Sequence, residues 1–289
     1  MDTTELLKKV RKIEIKTKGL SKHIFSGEYH SAFKGRGMSF SEVRDYTYGD
    51  DVRNIDWNVT ARTGDTSVKV FEEERELTVM LLIDVSASSL FGTSVQFKSE
   101  LITEIAAVIA FSATTNNDKV GAILFSDKIE KYIPPKKGRK TILRIIRDLI
   151  THETENTGTD LKKALEYLNN IQKKRAIVFV LSDFIDEDYE LALNLASRKH
   201  DIVGLHIYDK SEKELPNVGL MRIKDAETGK EQVIDTSVKS VRDSYAKWFS
   251  EHESYFKTQF KRSGSDVVSI QTDQDYVKEL LKFFKKRGR

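Results

Sequence analysis

Leu77–Gly92, LTVMLLIDVSASSLFG, is the stretch whose reading decides the fold. An apolar run from Val79 to Ile83 ends in Asp84-Val85-Ser86-Ala87-Ser88, and a helical pattern follows. A short apolar run bounded by a polar loop predicts a strand buried on both faces, as in a parallel sheet. Open α/β sheets place their sites at the carboxyl ends of such strands, where the chain turns into a helix. Asp84, Ser86 and Ser88 put one carboxylate and two hydroxyls there, hard oxygen donors that suit Mg²⁺ or Mn²⁺.

Downstream, strands and helices alternate, which predicts an α/β fold with a doubly wound, mostly parallel sheet. A helix around 94–115 presents Phe97, Leu101, Ile105 and Val108 on one face. Val120 to Phe125 reads as the next strand, with Lys128 to Ile133 as an antiparallel edge partner that stops at Pro134-Pro135. Helices around 139–152 and 160–172 precede a second wholly apolar strand, Ala176 to Leu181. A helix near 188–198 and a strand Ile202 to Ile207 continue the alternation. Gly219–Asp225 and Glu231–Asp235 read as a hairpin turned through Thr228-Gly229-Lys230, before a helix near 237–262, a strand Val267–Ile270 and a helix from Asp275.

Upstream, Leu6, Leu7, Val10 and Ile13 predict an amphipathic helix over 3–17. Glycine, tyrosine and charge then dominate from Gly19 to Asp65, and Val68–Phe71 reads as a strand leading into the central one. Two regions are expected: a helix plus small β/turn subdomain over 1–75, and a sheet domain over 76–289 with a hairpin insertion near 219–235.

Composition narrows the function classes. The 289 residues are 32% charged and 39% hydrophobic, a globular balance, and contain no cysteine. Disulfides, thiolate metal sites and thiol nucleophiles are thereby excluded. The N-terminal MDTTELLKKVRK is charged and amphipathic rather than a leader, and apolar runs such as Ala176–Leu181 fall far below a bilayer span, so a cytoplasmic location is expected. Residues 1–24 carry seven Lys and Arg against three Asp and Glu, and residues 278–289 six against one, so the net charge of +3 hides basic ends on an acidic middle. Neither end interleaves aromatics with cations as a single-strand binder would, and solvated terminal helices account for both.

Three segments share the carboxyl edge of such a sheet. These are Asp84-x-Ser86-x-Ser88, the loop Asn156-Thr157-Gly158-Thr159-Asp160, and Ser182-Asp183 after the second apolar strand. Together they offer an open octahedral shell of carboxylates and hydroxyls for a hard divalent cation. In order and spacing, Asp84, Ser86, Ser88, Thr159 and Asp183 resemble the metal-ion-dependent adhesion site of von Willebrand factor A domains.

The chain further resembles one bacterial branch of these, the domain of unknown function number 58, MoxR-associated and von Willebrand factor A-like. That likeness runs through Gly35-Arg36-Gly37, Phe40, Arg44-Asp45-Tyr46, Gly49-Asp50-Asp51, Arg53, Ile55-Asp56-Trp57 and Ala61-Arg62, and recurs in Leu215-Pro216 and Asp225–Gly229. It implies Mg²⁺ or Mn²⁺ as cofactor, with Ser86 and Ser88 as direct ligands. Thr159 is then a ligand engaged in one state, and Asp84 and Asp183 are held directly or through water. It also implies a protein partner, a MoxR-type AAA+ ATPase. One departure stands out: Phe184 follows Asp183 where von Willebrand domains often have glycine. The bland reading of the first loop is serines capping the following helix.

Between Gly35 and Arg62, paired acids and arginines suit turns and internal salt bridges, and Trp57 suits a core. The competing reading is a partner-docking face made by Arg36, Arg44, Asp50, Asp51, Arg53, Asp56, Trp57 and Arg62. Enzyme motifs fail one by one. A haloacid-dehalogenase-like phosphatase needs a second Asp two residues after the first, and Ser86 stands there. There is no GxxxxGK[ST], no GxSxG, and no pairing among the six histidines, of which His206 falls in a buried strand. The expected function is therefore a non-enzymatic, metal-dependent protein-interaction module. The alternatives are a metal-assisted phosphoester hydrolase, and nucleic-acid binding through the basic termini with its steep salt dependence.

Overall fold

Val79 through Ile83 are fully buried in an extended segment, Thr78–Asp84, as a strand covered on both faces must be. It belongs to a computed structural model that describes residues 3–20, 29, 32–33, 38–73, 76–90, 97–152, 158–224 and 231–288. The chain divides into two units, Met1–Ala32 with Thr78–Arg289, and Phe33–Leu77.

Helix α1 (Thr3–Leu20) opens the larger unit. The smaller one holds β1 (Met38–Asp45), α2 (Trp57–Thr63) and β2 (Ser67–Glu73). β2 contains the strand expected over Val68–Phe71 and pairs antiparallel with β1, across a bulge between Phe40 and Glu42. The Asp56 side chain caps α2 by accepting from the Asn58 and Val59 N–H groups, and Gly64, at φ 84°, ends it in the left-handed conformation. One ribbon and a two-turn helix are too small to enclose a core, and α2 has no buried residue. Trp57, expected inside, is 68% exposed for that reason.

The larger unit resumes with β3 (Thr78–Asp84), a short 3₁₀ turn Ala87–Leu90, and α3 (Lys98–Thr115). Next come β4 (Lys119–Phe125), β5 (Ile129–Lys136), α4 (Arg139–Ile150), α5 (Leu161–Ile171) and β6 (Ile177–Ser182). They are followed by α6 (Glu190–Lys199), β7 (Asp201–Tyr208), α7 (Lys210–Lys213), β8 (Leu220–Lys224) and β9 (Glu231–Asp235). The last elements are α8 (Lys239–Arg262), β10 (Asp266–Gln271) and α9 (Tyr276–Arg287).

The six-stranded sheet has the order β10-β7-β6-β3-β4-β5, parallel throughout except for β5. This is the expected α/β, doubly wound architecture. β5 runs on through Pro134 and Pro135, where its register with β4 shifts between Val120 and Ala122; prolines are tolerated at such an irregularity of an edge strand. β8 and β9 form the expected hairpin, whose Asp225–Lys230 connection lies outside the described residues.

Helices cover both faces of the sheet. α5, α6 and α8 close one, over Met80, Leu82, Val178 and Val180, with Phe256 and Phe260 contributed by α8. α3 and α4 cover the other, with α1 packed on both. α1 therefore belongs with the sheet rather than with the small subdomain: its apolar stripe needs a surface, and Glu14 is seated on Arg139 of α4. Sandwiched between sheet and α1, α3 is apolar nearly all round. Its buried stripe begins not at Phe97, which is 53% exposed, but at Lys98.

Close approach of α8 to the sheet depends on Gly204, where a Cβ would stand 2.6 Å from a Phe260 ring carbon. Gly204→Val should overpack this contact and lower stability by about 1–3 kcal/mol, read as a lower urea midpoint. On the same strand, burial holds His206 down to about 4, against Tyr208, Phe249 and Phe256. A histidine neutral in the fold costs stability once the unfolded chain takes up its proton, so this contribution declines as pH falls from about 6.5 toward 4. His206→Phe should lose less stability between pH 7 and pH 5 than the wild type, and equal losses would show that His206 does not carry the effect.

Candidate functional site

β3 and β6 are adjacent and in register, Ile83 opposite Leu181, so their carboxyl ends deliver Asp84 and Ser182 side by side. The order of strands reverses beside β3, where doubly wound sheets open a crevice. Asp84 is 2% exposed, and its Oδ1 accepts from the Ser86 N–H at 3.0 Å, folding the first loop back on itself. Its Oδ2 accepts from the Ser182 hydroxyl at 2.7 Å and from Thr159 Oγ1 at 3.5 Å. The Ser86 and Ser88 hydroxyls lie 3.0 Å apart, and Ser88 is close enough to Asp183 to help hold its carboxyl down. All five residues expected at the site thus come together. Asn156 and Thr157 of the second loop lie outside the described residues. Gly158–Asp160 hang over the end of β4 through the Asp160 N–H, which donates to the Ser126 carbonyl at 2.9 Å. Asp186 ties the second loop to the third by accepting from the Leu161 N–H at 2.7 Å.

Sequence reasoning missed a cation here. Lys98 is 1% exposed, and its ammonium donates to Asp183 Oδ2 at 2.9 Å and to Glu212 Oε1 at 2.6 Å. Glu212 is held by α7: its Oε2 accepts from the Asp209 N–H at 2.7 Å, while Asp209 accepts from Ser211 N–H, a capping box. Two signals were available: a lysine in line with Leu101 and Ile105 on the α3 stripe, and Asp209-x-x-Glu212 after an apolar strand.

This lysine sets the electrostatics. Burial raises the Asp84 carboxyl above its ordinary range, and the nearby Asp183 charge adds to that. Burial works on Asp183 in the same sense, but the Lys98 ammonium outweighs it and holds Asp183 below the usual carboxylate range. Lys98 loses charge preference by burial and regains more from Asp183 and Glu212, so it stays protonated.

The third loop keeps a left-handed backbone without glycine. Phe184 has φ 53°, and its N–H donates to Ser182 Oγ at 3.0 Å. Its ring stacks on Phe256 at 4.0 Å and meets Phe260 edge-on at 5.2 Å. That conformation costs a side chain about 1–2 kcal/mol, and burying a phenylalanine outweighs it.

The donors fit a hard divalent ion. Neighbouring oxygens of an octahedral Mg²⁺ shell stand about 3 Å apart, given metal–oxygen distances of about 2.1 Å. The Ser86–Ser88 pair at 3.0 Å matches such an edge, and the Asp84–Thr159 pair at 3.5 Å is about half an ångström longer. Among the described residues, no three His, Cys, Asp or Glu side chains group as a metal set, since most donors here are hydroxyls.

In the smaller unit, Arg44, Asp50, Asp51, Arg53 and Asp56 are all engaged internally. Asp50 accepts both Arg44 guanidinium nitrogens at 2.7 Å, and that pairing drives its carboxyl far below the usual range. Asp51 caps the 3₁₀ turn Val52–Asn54 and pairs with Arg53 at 2.8 Å. Asp56 caps α2 and faces Lys69 at 3.5 Å. Trp57 and Arg62 are exposed on α2, as is Tyr48 on the preceding turn, whereas Arg36 lies outside the described residues.

Comparison with known proteins adds relatives that are themselves uncharacterised. A protein of Mycobacterium tuberculosis and one of Mycobacterium bovis are each 29% identical over 294 residues, covering 100% of this chain and 92% of theirs. Among solved structures, the conserved hypothetical protein BatB from Bacteroides thetaiotaomicron matches with TM-score 0.45 and 14% identity, over 73% of this chain and 98% of that one. Mussel byssus proximal thread matrix protein 1 with a zinc-occupied MIDAS motif matches with TM-score 0.37 and 15% identity, over 46% and 38%. No described helix is long and apolar enough to cross a membrane. The family model for the protein of unknown function DUF58 matches residues 42–255, and the chain belongs to that family.

Proposed function

We propose that this chain is a non-enzymatic, divalent-ion-dependent protein-interaction module. It acts in the cytoplasm with a MoxR-type AAA+ ATPase in remodelling or assembling a client. The observation that carries the reading is the hydroxyl-rich cluster of Asp84, Ser86, Ser88, Thr159 and Asp183, in which the Ser86 and Ser88 hydroxyls stand 3.0 Å apart, Thr159 lies 3.5 Å from Asp84, and the Asp183 charge is felt at Asp84. A hard cation bound there supplies an open coordination position for a carboxylate of the partner.

The chain's own residues do the rest. Asp84 and Asp183 supply charge, the paired serines fix the first loop, and Thr159 brings the second loop within reach of Asp84. The neighbouring groups suit binding better than catalysis. His206 is buried and neutral, and the Lys98 ammonium is shared between two carboxylates. Neither is placed as a general base.

Thermal unfolding in EDTA, followed by titration with Mg²⁺ or Mn²⁺, tests the ion site. At about 100 times Kd, binding adds about 2.7 kcal/mol, or roughly 5–10 °C in Tm for a domain of this size. Wild type should show that rise and Asp84→Ala should not. Capture of a purified MoxR-type ATPase should need Mg²⁺ and vanish in EDTA. Trp57→Ala should keep the ion-induced rise yet weaken capture about tenfold or more, as loss of an exposed aromatic anchor does. Mg²⁺-dependent hydrolysis of a generic phosphate ester, absent in Asp84→Ala, would overturn the proposal.

A further inference from the structure

Lys98 presents a puzzle that the ion-binding reading leaves open. A fully buried ammonium is rare and must be balanced by protein charge, since water cannot reach it. Here the balance is divided: one bond goes to Asp183, a candidate ion ligand, and the shorter one to Glu212, which is not. Glu212 is not a free rotor. Its second oxygen is occupied by the Asp209 N–H, and Asp209 is itself fixed by the Ser211 N–H and by the Thr272 hydroxyl at 2.8 Å. The carboxylate is therefore held pointing at Lys98.

We propose that Lys98 is the resident counter-cation of this cluster, sharing Asp183 with any divalent ion bound there, and that Glu212 sets the ion affinity by drawing the ammonium away. This rests on the ion-binding reading above. Like charges a few ångströms apart in a dry site repel strongly. An ammonium leaning on Asp183 opposes a second cation; one leaning on Glu212 leaves the Asp183 oxygens to it. Glu212 is thus a positioning residue for affinity, without touching the ion.

The experiment is calorimetric titration of the full chain with Mg²⁺, and separately Mn²⁺, at fixed pH and ionic strength. Wild type is compared with Glu212→Gln and with the double variant Lys98→Met/Glu212→Gln. Glu212→Gln keeps shape and removes charge, so the ammonium rests wholly on Asp183 and Kd should rise about tenfold or more. The double variant removes the ammonium with its counter-charge, and Kd should fall below the wild-type value. The two shifts have opposite signs, which a general loss of stability does not produce. If the double variant does not fold, Glu212→Gln decides alone. Wild type that binds with Glu212→Gln at the same Kd, even with a lowered Tm, overturns this proposal and leaves the ion site standing. Wild type that binds neither ion overturns both.

Discussion

The parallel pairing of β3 with β6 is the constraint on which the rest depends. Both strands are buried on both faces, so their registers cannot slip without exposing a continuous apolar row. That register sets Asp84 level with Ser182, and the 2.7 Å bond between them is its direct product. The three loops then need only short excursions to meet, because each begins at a strand end or a helix start already fixed by the core.

Such a site is dry, which changes what each group is worth. Asp84, Asp183 and Lys98 are all buried, so each charge is felt strongly by the others. Two carboxylates alone would resist being buried together. The ammonium between them makes the two carboxylates compatible, and it ties the third loop to α3 and α7.

Much of this is legible in the residues. Alternating apolar runs and amphipathic helices point to the doubly wound sheet, because burial on two faces writes itself into composition. Asp84, Ser86, Ser88, Thr159 and Asp183 stand out through their motif spacing. What escapes the sequence depends on tertiary partners. Lys98 looks like an ordinary charged helix start until β6 and α7 are placed beside it. Met38–Asp45 carries no clean alternation, and its strand exists through pairing with β2. Trp57 reads as core because an aromatic usually signals one, and this unit has too few elements to build it. The N-terminal helix reads with its sequence neighbours, although it packs on α3 and α4, far along the chain.

Phe184 turns a loop into a linkage. A glycine in the left-handed conformation can swing its peptide with little resistance, and the loop that carries it moves alone. Here the same backbone angle is clamped by a ring wedged against Phe256 and Phe260. The third loop and α8 are in consequence one mechanical body, and α8 is a rod of 24 residues, about 36 Å long. The carboxyl edge of β6 is thereby pinned to that rod, whose N-terminal half carries the exposed Trp248 about two turns from the clamp.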